Sequence, residues 1–278
     1  MTKDRIDRRF AALKAENRAG FVTYVMAGDP DAATTLSVLK GLPGAGADLI
    51  ELGFPFSDPM AEGPTIQRAA QRGLKSGMTL QGTLDLVAAF REGDQDTPVI
   101  LMGYLNPVLN RGFESFAVAA STAGVDGLIV VDCPPEEADP LSDALEAEGI
   151  ALIRLAAPTT DDARLPMVIR RTSGFLYYVS VAGVTGVKSA DAADVAPAVE
   201  RLRKASGLPV AVGFGIRTPE QAAAVARVAD AAVVGSALVD EIESAAQLNE
   251  NVTERVLLKA SELAKAVQSA RVGNEVRL

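Results

Sequence analysis

The chain has 278 residues, enough for one large α/β barrel or two small domains, and its 48% hydrophobic, 23% charged composition is that of a soluble globular protein. A formal charge of −9 without any basic stripe excludes nucleic acid and anionic membrane surfaces as partners. The single Cys133 and the absence of histidine exclude a disulfide framework, a Cys/His nucleophile and a His/Cys zinc site, so proton chemistry must rest on carboxylates.

The N-terminus is charged from its third residue and lacks the apolar stretch of a secretory signal, and no later apolar run is long enough to span a bilayer, so a cytoplasmic enzyme is expected. An amphipathic helix is expected over 5–15, followed by short β-branched runs at 21–26, 48–52, 99–102, 127–131, 150–155, 175–181, 209–212 and 231–234. Between them, apolar residues recur at helical spacing over 32–42, 80–90, 113–123, 135–148, 161–171, 190–205 and 219–228. Residues 65–76 add a short helix after the second strand, and 252–269 a long closing one. Strict alternation of strands and helices implies a parallel sheet, and eight repeats at a spacing of about 25 residues imply closure. The expected architecture is a single (β/α)8 TIM-barrel domain over 1–278, with extra helices at the N-terminus, after strand 2 and at the C-terminus.

In such a barrel the site is built from the loops at the carboxyl ends of the strands. Glu51 stands one residue before the end of the second strand, where a buried parallel strand ordinarily carries Val or Ile. A structural carboxylate bonding loop amides is one reading. The company of Asp58 and Glu62 on a loop stiffened by Gly53, Pro55, Pro59, Gly63 and Pro64 favours chemistry. After the seventh strand comes Gly213-Phe-Gly-Ile-Arg-Thr-Pro-Glu220, and after the eighth Gly235-Ser-Ala-Leu. Either glycine turn alone has a structural explanation. Together, at helix starts in those two loops, they form a backbone cradle suited to phosphate. The glycine-rich segment 182–189 reads as a mobile lid or as an ordinary connection.

The segments Met26-Ala-Gly-Asp-Pro30, Glu51 through Gln67, Gly183-Val-Thr-Gly186, Gly213-Phe-Gly-Ile216 and Gly235-Ser236 occur in an order and spacing that resemble the tryptophan synthase alpha subunit family along essentially the whole chain. The loop after strand 2 is specific to that family, whereas the phosphate turns are shared with many barrels. The resemblance implies a lyase that cleaves indole-3-glycerol phosphate, by a retro-aldol reaction, to indole and glyceraldehyde 3-phosphate. It implies no cofactor in this chain, and as partner a pyridoxal-phosphate-bearing beta subunit in an α2β2 heterotetramer.

By resemblance Glu51 is the acid/base, with Phe21, Leu49, Leu52 and Met102 as the apolar neighbours that raise its pKa. Glu62 takes the place of a family Asp that accepts the indole N–H; its extra methylene moves the charge by about 1.5 Å. Tyr24, Met102, Ile129, Leu155 and Tyr177 match positions around the indole ring, although chemistry alone reads Met102, Ile129 and Leu155 as barrel core. Thr185 matches the lid residue, and Gly186, Gly213, Phe214, Gly215, Ile216, Gly235 and Ser236 complete the substrate-binding set. Asp58 faces the beta partner. Val181 is apolar where some family members carry Arg. Three other readings remain: a different phosphate-binding barrel, a free-standing indole-releasing lyase, and an inactive barrel serving only as an allosteric partner.

Overall fold

In a computed structural model, described over residues 3–179, 192–213 and 215–271, every strand pairing is parallel. The strands are β1 (Gly20–Met26), β2 (Leu49–Gly53), β3 (Val99–Gly103), β4 (Gly127–Val130), β5 (Ala151–Leu152), β6 (Arg154–Ala156), β7 (Leu176–Val179), β8 (Val210–Gly213) and β9 (Ala231–Val234). Their order in the sheet is β5-β4-β3-β2-β1-β9-β8-β7-β6. The two ends of that order are consecutive in sequence. β5 pairs with β4 and β6 with β7, while the Ile153 N–H between them donates to Leu128 O at 3.0 Å. The expected fifth strand is thus one stave broken at Ile153, and the sheet closes as an eight-stave TIM barrel in which β8 and β9 are the seventh and eighth staves.

Side chains alternate across this sheet with a period of two, which sorts the core into two layers. Val22, Leu49, Ile100, Ile129, Ile153, Phe175, Ala211 and Val233 fill the interior. Phe21, Val25, Ile50, Leu52, Leu101, Leu128 and Val212 point outward beneath the helices. This corrects two expected neighbours of Glu51. Leu49 and Met102 share the interior with it, but Phe21 and Leu52 lie in the outer layer, because odd and even positions of a strand face opposite ways.

The N-terminal helix Lys3–Ala15 presents Ile6, Phe10 and Leu13 at helical spacing, and these join the interior cluster as the barrel floor. Phe10 packs on Phe175 with ring centroids 5.6 Å apart. The open end is therefore the carboxyl end of the strands. Helices Pro64–Lys75 and Val252–Ser269 form where expected, and Ser236–Leu248 follows β9 directly. Three helices depart from expectation, one of them the helix expected over 135–148, which is a short 3-10 turn Pro135–Glu137 and then Asp139–Ala147. Leu105–Arg111 is an additional helix after β3, and the helix expected over 161–171 is only Leu165–Ile169. Pro166 sits in its first turn, where the missing N–H costs nothing; a start at 161 would put that gap inside the helix. No helix among the described residues is long and apolar enough to cross a membrane.

Candidate active site

A cavity of about 290 Å³ opens at the carboxyl end of the strands, lined by both glutamates, both candidate tyrosines and both glycine turns. Glu51 reaches it from β2, between Tyr24 of β1 and Ile100 of β3 in register. It is 1% exposed, and neither carboxylate oxygen has a hydrogen-bond partner among the described residues. Burial, and then the charge of Glu62, push its pKa from an ordinary 4.5 to about 8. Glu62 is 8% exposed, and burial pushes it to about 7.

The backbone around Glu62 is pinned from several sides. The Ala61 N–H donates to Tyr104 Oη at 2.9 Å, Gln67 Nε2 donates to Glu62 O at 3.0 Å, and the Glu62 N–H donates to Pro59 O at 3.1 Å. Phe56 stacks on the Tyr104 ring at 5.2 Å. Gly63 and Pro64 then start the helix Pro64–Lys75, proline occupying a first-turn position that needs no N–H.

Tyr24 of β1 and Tyr177 of β7 line the cavity with the two acids. Burial, with the charges of both glutamates, holds each phenol well above its usual range, so both remain neutral hydroxyls. Each ring leans over a glycine on the next stave. Tyr24 is paired with Glu51 and covers Gly53, two residues on; Tyr177 is paired with Ala211 and covers Gly213, again two on. A Cβ at Gly53 would lie 2.3 Å from Tyr24 Oη, and one at Gly213 2.1 Å from Tyr177 Oη. Gly213, expected to let backbone approach a phosphate, therefore makes room for a tyrosine.

The remaining turn residues divide. Gly215, at φ +63°, lines the cavity with Gly235 and Ser236, and Ser236 opens the helix Ser236–Leu248. Ile216 does not line it; its side chain is buried in the outer layer. Thr218 and Gln221 close a capping box that fixes the helix after β8. Met102 and Leu155 line the cavity as expected, but Ile129 does not. It is fully buried one layer below, and the wall is Val131, two residues further along the same face. Val131, Ala157, Val179 and Val233 were all missed. Strand alternation carried the signal, since each lies two residues from a residue already singled out or, for Val233, from Gly235. Asp58 is exposed and outside the cavity, held by Ser57 Oγ at 2.5 Å. Thr185, Gly186, Val181 and Phe214 lie outside the described residues.

A larger cavity, about 480 Å³, opens at the opposite face among Lys14, Arg203, Arg227 and Arg271. The first three occupy last turns of helices, where carbonyl ends attract cations, and Arg271 donates to Ala226 O at 2.9 Å. Helix ends explain these basic side chains, and Arg18 beside them is held by Asp48 and Glu16.

Fold and site together define a TIM barrel in which two buried carboxyl groups and two glycine turns line one cavity at the carboxyl end of the strands. A family model described as tryptophan synthase alpha chain matches residues 10–268. The tryptophan synthase alpha chain of Caulobacter vibrioides strain NA1000 is 94% identical over 99% of this chain and all of that protein, and that of Phenylobacterium zucineum is 73% identical over 99% of each. Among solved structures, the tryptophan synthase subunit alpha of Legionella pneumophila superposes with a TM-score of 0.89 at 42% identity, covering 95% of this chain and 98% of that one. A tryptophan synthase structure from Mycobacterium tuberculosis gives 0.85 at 36% identity, covering 95% and 98%. The chain belongs to the tryptophan synthase alpha chain family, and the cleavage of indole-3-glycerol phosphate expected from its sequence is the activity of that family.

Proposed function

We propose that Glu51 serves as both acid and base in this cleavage, with Glu62 as the counter-charge of the cationic intermediate. The observation that carries this reading is a pair of buried carboxyl groups, both with pKa values raised to near neutrality, facing one cavity. Near neutral pH Glu51 holds its proton. It donates this proton to C3 of the indole ring, giving an indolenine cation whose N–H points to ionised Glu62. The Glu51 carboxylate then takes the proton of the side-chain hydroxyl as the carbon–carbon bond breaks. The bond electrons return to the ring, the hydroxyl carbon becomes the aldehyde, and Glu51 regains its starting state. Protons and electrons balance without a co-reactant.

Tyr24, Met102, Val131, Leu155 and Tyr177 form the slot for the ring, apolar walls with two neutral hydroxyls. Gly215, Gly235 and Ser236 hold the phosphate through backbone N–H groups and the Ser236 helix start. The whole chain, 1–278, acts as one barrel domain in the cytoplasm and needs no cofactor of its own.

Membership of the family implies a beta-subunit partner. The finer reading is an α2β2 assembly whose beta subunits carry pyridoxal phosphate, with Asp58 at the contact. Its support is the exposed position of Asp58 beside Met60, which is 75% exposed on the same loop. Indole release from indole-3-glycerol phosphate, measured with and without beta subunit, tests the assignment. A chain inactive in both conditions would leave only the role of an allosteric partner.

A further inference from the structure

The helix that follows Glu62 and the helix that follows Gly235 are laced together by a row of polar contacts outside the cavity. Thr65, Arg68 and Arg72 share one face of Pro64–Lys75, while Asp240 and Glu243 stand one turn apart on Ser236–Leu248. The inner rung is closed. Arg72 binds Asp29 through two bonds at 2.7 and 2.8 Å and Glu243 at 2.9 Å, Arg68 holds the same Glu243 at 2.8 Å, and Asp29 is buried. The outer rung lies nearer the mouth and has a third participant. Thr65 Oγ1 donates to Asp240 Oδ1 at 3.0 Å, and Arg217, from the loop after β8, donates to Asp240 Oδ2 at 2.6 Å.

We propose that Asp240 is a positioning residue for the reaction, using one carboxylate oxygen to hold the helix that follows Glu62 and the other to hold the glycine turn after β8. Thr65 stands three residues beyond Glu62, and Arg217 two residues beyond Gly215. Asp240 itself lies one turn into the helix opened by Ser236. The contact thus fixes the separation between the acid group and the anion cradle, the quantity a retro-aldol site must match to the length of its substrate. The ion pair is part-exposed, with Arg217 at 46% and Asp240 at 33%, so its contribution to folding stability is small and its function is register. This inference rests on the phosphate reading of the Gly215 and Gly235 turns.

The test uses the full chain in complex with beta subunit, reading turnover of indole-3-glycerol phosphate, direct binding of glycerol 3-phosphate as the phosphate probe, and Tm. Asp240→Ala should lower kcat and probe affinity by about tenfold each while Tm moves little. Thr65→Val should lower kcat alone, and Arg217→Gln should weaken probe binding alone. Asp240→Asn, which keeps an oxygen for Thr65 but turns an amide toward Arg217, should behave like Arg217→Gln. The proposal is overturned if Asp240→Ala and Asp240→Asn lower Tm without changing kcat or probe binding, or if both single-arm variants match the parent chain. Gly235→Val separates the two claims: normal probe binding in that variant overturns the phosphate reading, whereas lost binding there with unchanged Asp240 variants overturns only the positioning role.

Discussion

Burying Glu51 without a hydrogen-bond partner among the described residues opposes folding whenever its carboxyl is charged. The fold holds its proton up to about pH 8, against an ordinary 4.5, so between these values the unfolded chain binds fewer protons and stability falls as pH rises. Glu51→Gln removes that loss. Its Tm relative to the parent chain should climb between about pH 5 and pH 8, a relative gain on the order of 3–5 kcal/mol from which the cost of a buried amide is subtracted. A Tm difference independent of pH would mean that Glu51 is solvated in the fold. Glu62 supplies the second titration. With Glu62 ionised and Glu51 protonated in the active form, kcat/KM should rise through about 7 and fall through about 8, and Glu62→Ala should lose the rising limb along with most of its activity. A pH profile with the same rising limb in that variant would contradict the counter-charge role. Because Tyr104, Gln67 and Pro59 fix the loop around the longer side chain, Glu62→Asp should lower turnover, by about tenfold, rather than restore it. Higher turnover in Glu62→Asp would mean that the loop has not adapted to glutamate. Both acids were legible in the sequence because carboxylates on a Gly/Pro-stiffened strand-end loop have few structural uses. Their apolar surroundings were half legible: Leu49 and Met102 share the interior with Glu51, whereas strand alternation turns Phe21 and Leu52, close in sequence or on the neighbouring strand, outward.

At the level of elements, the strand-end glycines perform two different tasks that look alike in sequence. Gly213 clears space for Tyr177, and Gly235, where an added Cβ would meet Tyr24 only at 3.3 Å, stands at a helix start beside the cavity. Gly213→Ala should displace the Tyr177 ring and lower kcat by tenfold or more, with phosphate-probe affinity nearly unchanged. An equal fall in probe affinity would return Gly213 to the anion cradle. No single-sequence signal separates these tasks, because what fills the place of a missing Cβ belongs to a different strand. The same limit explains Ile129: its strand and its inward face follow from the pattern, but its depth depends on where the acids and tyrosines of neighbouring staves end. Pro166 marks in the sequence a helix start near 165. The short helix Leu105–Arg111 was hidden by Asn106-Pro107, which reads as a turn but fits the first turn of a helix.

For the whole molecule, the alternation of strands and helices made the barrel legible, and closure through the split at Ile153 is a detail that only pairing reveals. The floor was less legible. The N-terminal helix was expected from its periodicity, but that it plugs the barrel, leaving the carboxyl end open, follows from the contact of Ile6, Phe10 and Leu13 with interior residues. The beta subunit should accelerate cleavage by ordering the loops that exclude water from the cation. Asp58→Ala should lose most of that acceleration and keep its basal rate, and a basal rate that fell equally would make Asp58 catalytic. In a chain without histidine no imidazole can replace the one buried carboxyl group proposed to move both protons. The most direct measurement is indole release from indole-3-glycerol phosphate by Glu51→Gln in the presence of beta subunit, with glycerol 3-phosphate binding measured on the same protein. A loss of about a thousandfold or more in turnover with intact binding is the predicted result, and turnover within about tenfold of the parent chain would contradict it.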